Sequence, residues 1–235
     1  MAYLRSQGKE LAAPRSVIVC YSPRLLDYVR DSMGAVLLGT FTYASLYALP
    51  ATDGTVGVVG GFGIGAPAAA IVVEELTAMG TSRFISMGEA GSIDPGCDIG
   101  SIVLCTSAVR DEGVSHHYLA PDTYAYPDPA LTQRLRDAFE RSSLPYNEGP
   151  TWTIDAPYRE TVDEAQHYQR EGVVTVEMEA AAVFVVAQLR GVAAASAFVI
   201  SDSLTELKWN PRFQSSNVVA GMRTLFSACL DALSD

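Results

Sequence analysis

The sequence predicts an α/β protein, a single domain over residues 1–235 built on a mixed, mostly parallel sheet flanked by helices. Three observations predict it. Short runs of buried-type residues, such as "SVIVC" and "SAFVI", alternate with helical patterns. Glycine and proline punctuate the joints between those runs. No internal repeat, low-complexity stretch or linker divides the 235 residues, a length that suits one full-sized core.

Taken in order, "SVIVCYSP" (16–23) reads as a short buried strand stopped by Pro23, and "RLLDYVRDSM" (24–33) as a helix with Leu25, Leu26 and Val29 on one face. "TVGVVGG" (55–61) is a second strand. "FGIGAPAAAIVVEELTAMG" (62–80) is a glycine turn feeding a helix, with Pro67 in its first turn and Gly80 as its stop. "RFISMG" (83–88) and "GSIVLCTSAV" (100–109) are further strands. Residues 107–160 hold much loop, and a loop region of that size is usually functional or interfacial. Within it, "DPALTQRLRDAFERSS" (128–143) is an amphipathic helix opened by Asp128-Pro129. A polar helix (161–172), a strand (173–176), an apolar helix (177–191), a buried strand (194–202) and an amphipathic helix (215–234) complete the chain.

Apolar residues are 49% and charged residues 18%, a balance that suits a compact fold and excludes a disordered chain. The net charge of −11 argues against nucleic acid and anionic membrane as partners, since Lys and Arg hold both. The opening "MAYLRSQGKELAAPRS" lacks the apolar core of a signal peptide, and no run approaches a membrane span. Cys20, Cys97, Cys105 and Cys229 are scattered, with neither CxxC spacing nor a nearby His. They read as free thiols of a reducing cytoplasm, with no metal site and no cofactor implied.

Four stretches carry candidate chemistry. In "VEMEAAAVF", Glu177 and Glu179 open an otherwise apolar helix. The helix dipole accounts for either one. Two carboxylates between a buried strand and a buried helix call for a polar partner, and a sugar diol would satisfy one of them. In "FVISDSLTE", Asp202 follows a buried strand, either as a helix N-cap or as a site residue at a strand's carboxyl end. "GGFGIGAP" brings spaced glycines between strand and helix. It is out of register for a dinucleotide fingerprint, which leaves a tight turn or a backbone approach to a ligand. "PTWTIDAPYRET" reads as a loop in which Trp152 could stack on a heterocycle and Asp155 or Arg159 could order the chain, or as plain structure.

In family order, "GFGIGAPAAAIVVEEL", "MGEAGSIDPGCDIGSIVL", "TWTIDAPYRET", "VEMEAAAVF" and "VISDSL" resemble the nucleoside phosphorylase I family, over roughly residues 16–230. That group includes uridine phosphorylase, hexameric purine nucleoside phosphorylase and the methylthioadenosine/S-adenosylhomocysteine nucleosidases. The resemblance implies a nucleoside phosphorylase-like α/β domain and a homo-oligomer, a dimer or a trimer of dimers. It also implies a small-molecule nucleoside as substrate. Glu179 would hold the ribose 2′- and 3′-hydroxyls, Met178 would pack on the sugar and Glu177 would line the same pocket. Trp152 would lie against the base, and Asp202 would protonate the leaving base. His116 and His117, in "RDEGVSHHYL", fall in a segment that approaches the pocket or an interface, so either contacts a 5′-hydroxyl or sits in a solvated loop. Asp202 and Trp152 lean towards a purine, whereas "VRDEGVSHHYLAP" is closer to the uridine-type branch.

The departures concern phosphate. Where the family's phosphorylases place an arginine before the "GEAG" glycine, this chain has Ser86, and where they place a threonine it has Glu89. In the family a second arginine comes from the neighbouring subunit, before the "GFGIG" strand; this chain has none between Arg30 and Arg83, and the family's "GDPGR" is written "CYSPR", retaining only Arg24. "GEAG" itself reads as a glycine turn carrying a carboxylate, with Arg24, Ser86 and Gly88 as a residual anion or water site. Two like charges in a partly desolvated pocket repel by several kcal/mol, even at an effective dielectric of about 20. The expected reaction is therefore hydrolysis of an N-glycosidic bond, with Glu89 as the base that activates water. The alternatives are ordinary phosphorolysis, or a relative that binds a nucleoside without cleaving it. Pairing of Glu89 with Arg24 in an inert salt bridge is the competing reading of that carboxylate.

Overall fold

A computed structural model describes residues 12–234; the expectation for the chain's first eleven residues lies outside them. The order begins β1 (Ser16–Cys20), α1 (Pro23–Ser32), β2 (Val36–Phe41), β3 (Ala44–Ala48), β4 (Val56–Gly60), α2 (Ala66–Ala78) and β5 (Arg83–Ser92). It continues with β6 (Ile102–Asp111), β7 (Tyr124–Ala125), α3 (Pro129–Arg141), β8 (Asn147–Ile154), α4 (Val162–Arg170) and β9 (Thr175–Glu177). The last elements are α5 (Ala180–Arg190), β10 (Ala193–Ser203), β11 (Asn210–Pro211) and α6 (Ser216–Leu233).

The helices start and stop where the local chemistry dictates. Asp128 accepts the Leu131 N–H at 2.8 Å and opens α3. Thr161 and Glu164 form a reciprocal capping box at α4. Gly191, at φ 67°, ends α5 in the left-handed conformation that costs glycine least.

All eleven strands join one sheet, parallel through β10–β5–β1–β4 and through β6–β8–β9, and antiparallel elsewhere. Residues alternate between its faces. Ile18, Val58, Ile85 and Ala197 pack under α1, α3 and α6, while Val17, Val59, Phe84 and Phe198 pack under α2 and α5. The long strands bend the sheet back on itself. β5 pairs with β10 along ten positions and with β9 at its far end, and β9–β8–β6 leads round to β10 again. Five strands thus close a ring, and β1, β4, β3 and β2 extend from it as an open wing.

Four expectations change. Residues 36–48 form an antiparallel hairpin that the sequence did not announce, because its turn carries Thr42 at φ 37° rather than Gly or Asn. Residues 147–154 are the strand β8 rather than loop. The carboxylate Glu89 sits inside β5, opposite Val199, not in a turn. Finally, Glu177 ends β9, and α5 begins only at Ala180. The four cysteines are buried and unpaired, and no helix among the described residues is long and apolar enough to cross a membrane.

Candidate active site

The carboxyl ends of the parallel strands β1, β5 and β10 open on a cavity of about 580 Å³, the usual size and place for a small-molecule site in such a sheet. Tyr21 and Ser22, just beyond β1, form one wall. Gly88–Gly91 of β5 form the floor, and Val176–Glu179 another wall. Ser201, Asp202, Leu204, Trp209 and Phe213 close the far side, with Tyr158 and Glu160 at the rim.

The glycines of "GEAG" make room inside a strand. A Cβ on Gly88 would lie 3.1 Å from the Tyr21 ring, and one on Gly91 would lie 3.0 Å both from Asp202 Oδ2 and from Val176. Larger residues would push Tyr21 and Asp202 out of place. Asp202 is aimed by an irregularity in β10, where the register with β5 jumps from Ile200–Ala90 to Asp202–Gly91. Its Oδ1 accepts the Ser201 hydroxyl at 2.7 Å, and its Oδ2 accepts the Trp209 indole N–H at 2.8 Å.

The two glutamates of "VEMEA" have different work. Glu177 is built into the helix start: its Oε2 accepts the N–H groups of Glu179 and Ala180 at 2.7 and 2.8 Å, and its Oε1 accepts the Thr153 hydroxyl at 2.5 Å. Backbone N–H groups can only donate, so this carboxylate satisfies the orphan donors of α5. Glu179 accepts the N–H of Gly65, which stands at φ 99° at the start of α2. Burial and the charge of Glu177 push the Glu179 carboxyl upward. Burial raises Glu89 as well, with Arg24 opposing and Asp202 adding to the rise. Glu160 is pushed up to about 7 by burial, then by Asp202 and Glu164.

A carboxyl raised in the folded state, with an ordinary value near 4.5, holds its proton there while the unfolded chain has lost its own. The folded protein therefore binds more protons between those values, and stability falls as pH rises through that window. Melting temperature is expected to be higher at pH 5 than at pH 8, with a smaller difference in Glu160→Gln, as measured by thermal unfolding at both pH values.

Six residues singled out in the sequence line the cavity together: Gly88, Glu89, Glu177, Met178, Glu179 and Asp202. Five others do not. Trp152 is fully buried in β8, its N–H donating to Asp111 at 2.8 Å and its ring 4.7 Å from that of Tyr168, so it has no face to offer a base within this chain. Ser86 is buried and hydrogen-bonded to the Tyr21 hydroxyl at 2.9 Å. Arg24 is exposed at the start of α1, and no salt bridge joins it to Glu89 among the described residues. His116 and His117 lie on a 3₁₀ turn, the former bonded to the Arg110 carbonyl. Asp155 does order a loop, accepting the Gly113 N–H at 2.9 Å.

Sequence reasoning missed Tyr21, Glu160 and Trp209. Glu160 stood inside a quoted motif, beside Arg159, and only the fold turns it inward. Trp209 carried one signal, an indole donor seven residues after a strand-end aspartate. Five carboxylates thus line the cavity, and no Lys, Arg or His does so among the described residues.

An α/β domain with a ring-closed mixed sheet and a carboxylate-lined cavity at its strand ends defines the class. The chain belongs to the phosphorylase superfamily, whose family model matches residues 17–231. It is 32% identical over 152 residues to guanosine phosphorylase of Halorubrum lacusprofundi, covering 65% of this chain and 63% of that one. It is 34% identical over 148 residues to uridine phosphorylase of Thermococcus kodakarensis, covering 56% and 52%. The matched stretch thus spans between half and two thirds of those relatives' own lengths. Among solved structures, purine nucleoside phosphorylase of Toxoplasma gondii in complex with immucillin-H shares the fold at a TM-score of 0.86 and 20% identity, covering 96% of this chain and 92% of that one. AMP nucleosidase of Bacteroides thetaiotaomicron shares it at 0.80 and 19%, covering 99% and 93%. Uridine phosphorylase of Vibrio fischeri matches at 0.80 and 27%, covering 96% and 93%.

Proposed function

We propose that this protein hydrolyses the N-glycosidic bond of a nucleoside or nucleoside-like compound. The observation that carries the reading is the lining of the cavity: five carboxylates and, among the described residues, no cationic side chain to hold phosphate. Family membership supports a nucleoside as the substrate, and relatives carry both phosphorylase and nucleosidase names.

Breaking the bond builds positive charge on the sugar and negative charge on the departing base, as in other glycoside cleavages. Glu179 keeps one oxygen on the Gly65 N–H and offers the other to the ribose diol, with Met178 against the sugar. Glu89 stands in the strand floor to orient water and take its proton as the oxygen bonds to the anomeric carbon. Asp202, fixed by Ser201 and Trp209, faces the leaving base and supplies a proton where the base needs one. Glu177 serves the reaction indirectly, by holding the start of α5. The protein acts as a homo-oligomer in a cytoplasmic setting.

The alternative is phosphorolysis, favoured by the names of the sequence relatives. Incubation with a panel of purine and pyrimidine nucleosides, with and without phosphate, separates the two when the sugar products are resolved by chromatography. Free base plus free ribose at a rate indifferent to phosphate is the expected result. Ribose 1-phosphate formed only when phosphate is added would sink the hydrolytic reading. No cleavage of any nucleoside would leave a binding protein.

A further inference from the structure

The acidic lining is uneven, and its unevenness says something about the base. At the sugar end, Glu177 is committed to the backbone at the start of α5, and Glu179 holds the Gly65 N–H with one oxygen and leaves the other for the sugar. At the other end, Asp202 and Glu160 line the same cavity as Glu89; the charge of Asp202 acts on both glutamates, and Arg24, outside the lining, offsets it at Glu89 alone. Around this second group stand Tyr158, Trp209 and Phe213, with Ile154, Pro157 and Leu204 completing an apolar wall. Trp209 and Phe213 meet edge to face with ring centroids 6.3 Å apart. Carboxylates set in an aromatic wall, with no basic side chain lining the cavity among the described residues, form a receptor for an aromatic cation.

We propose that the preferred substrate is an N-ribosylated cationic heterocycle, such as a ribosyl-pyridinium or an N-alkylated purine nucleoside, and that Glu160 with Asp202 selects its charge. The proposal rests on reading the cavity as a nucleoside site and names the substrate class of that site.

The chemistry balances without an acid. In a cationic nucleoside the bond between the anomeric carbon and nitrogen breaks with its electron pair passing to the ring nitrogen, so the base leaves neutral. Water adds to the anomeric carbon and gives its proton to Glu89, which releases it to solvent. The products are ribose, neutral base and one proton. A neutral nucleoside would instead need a proton from Asp202 as its base departs, or would release an anion beside Asp202 and Glu160, where like charge opposes its departure. Positive charge moves from base to sugar along the reaction and remains near carboxylates throughout.

The test is binding of two ligands of the same shape, 3-carbamoyl-1-(β-D-ribofuranosyl)pyridinium and its neutral carbon isostere 3-(β-D-ribofuranosyl)benzamide, by calorimetry at pH 7.5 and low salt. The cation is expected to bind at least about tenfold more tightly, and Glu160→Gln to reduce that ratio at least about threefold. Cleavage of the pyridinium is expected to release one proton per turnover. Equal binding, or preference for the neutral isostere, overturns the cationic assignment and leaves the nucleoside reading standing. Binding of neither ligand removes both. A Glu160→Gln ratio equal to that of the unaltered protein removes Glu160 as the selector.

Discussion

Glu89→Gln is expected to lower kcat for hydrolysis by about 10²- to 10⁴-fold, the usual contribution of a positioned general base, while KM changes little. The amide keeps the size of the side chain and its place between Gly88 and Ala90, so substrate still fits. What it loses is the ability to take a proton from water. Because burial and Asp202 raise the carboxyl above its ordinary range, the unaltered enzyme should gain activity as pH rises through the ionisation of Glu89. The variant's residual rate should lack that limb. Steady-state kinetics across pH 4.5 to 8.5 on both proteins make the comparison. A variant with unaltered kcat and the same acid limb would show that water is activated elsewhere.

Trp152→Ala is expected to cost about 3–5 kcal/mol of stability, the usual effect of removing a large aromatic ring from a packed core. The side chain is fully buried among Ile93, Val109, Ile154 and Val176. Its loss also leaves the Asp111 carboxylate without its indole donor. Trp152→Phe keeps most of the packing and should cost less, about 1–3 kcal/mol for the lost hydrogen bond and reduced volume. Denaturant unfolding reads both. Neither substitution should raise KM in protein that remains folded. A raised KM with stability intact would put the ring back against the substrate.

Why Trp152 misled the sequence reading is physical. An aromatic among hydroxyls, proline and a glutamate looks like a ligand loop, but residues 151–154 belong to a strand buried on both faces. Thr151 and Thr153 are buried alongside it and reach Glu177, at 3.5 and 2.5 Å. Polar residues buried for the sake of a helix start resemble polar residues exposed to solvent. The parallel strands were legible because doubly buried strands are written in Val, Ile and Ala and end at glycine or proline. The hairpin at 36–48 was not, because its turn has no glycine and its outer residues Val36 and Leu37 remain exposed. The cavity lining was legible where a carboxylate stands near a strand's carboxyl end, as at Asp202 inside β10 and Glu179 just past β9. It was illegible where three dimensions decide, as in the two glycines that yield space to Tyr21 and Asp202, or in Glu160 turning inward.

The closed ring of strands also bears on how the chain is made. Arg83 of β5 meets Ala193 of β10, 110 positions further along the chain, only after the whole of that stretch has been synthesised. The open wing of β1, β2, β3 and β4 is complete by Gly60 and can pair while the rest emerges. The floor of the cavity has no second edge until β10 leaves the ribosome, and until then β5 is an exposed, apolar strand seeking a partner. Closing so distant a pairing is slow relative to local hairpins. Nascent chains halted before residue 193 should therefore hold the wing but not the cavity, and be the form of this protein most in need of a chaperone.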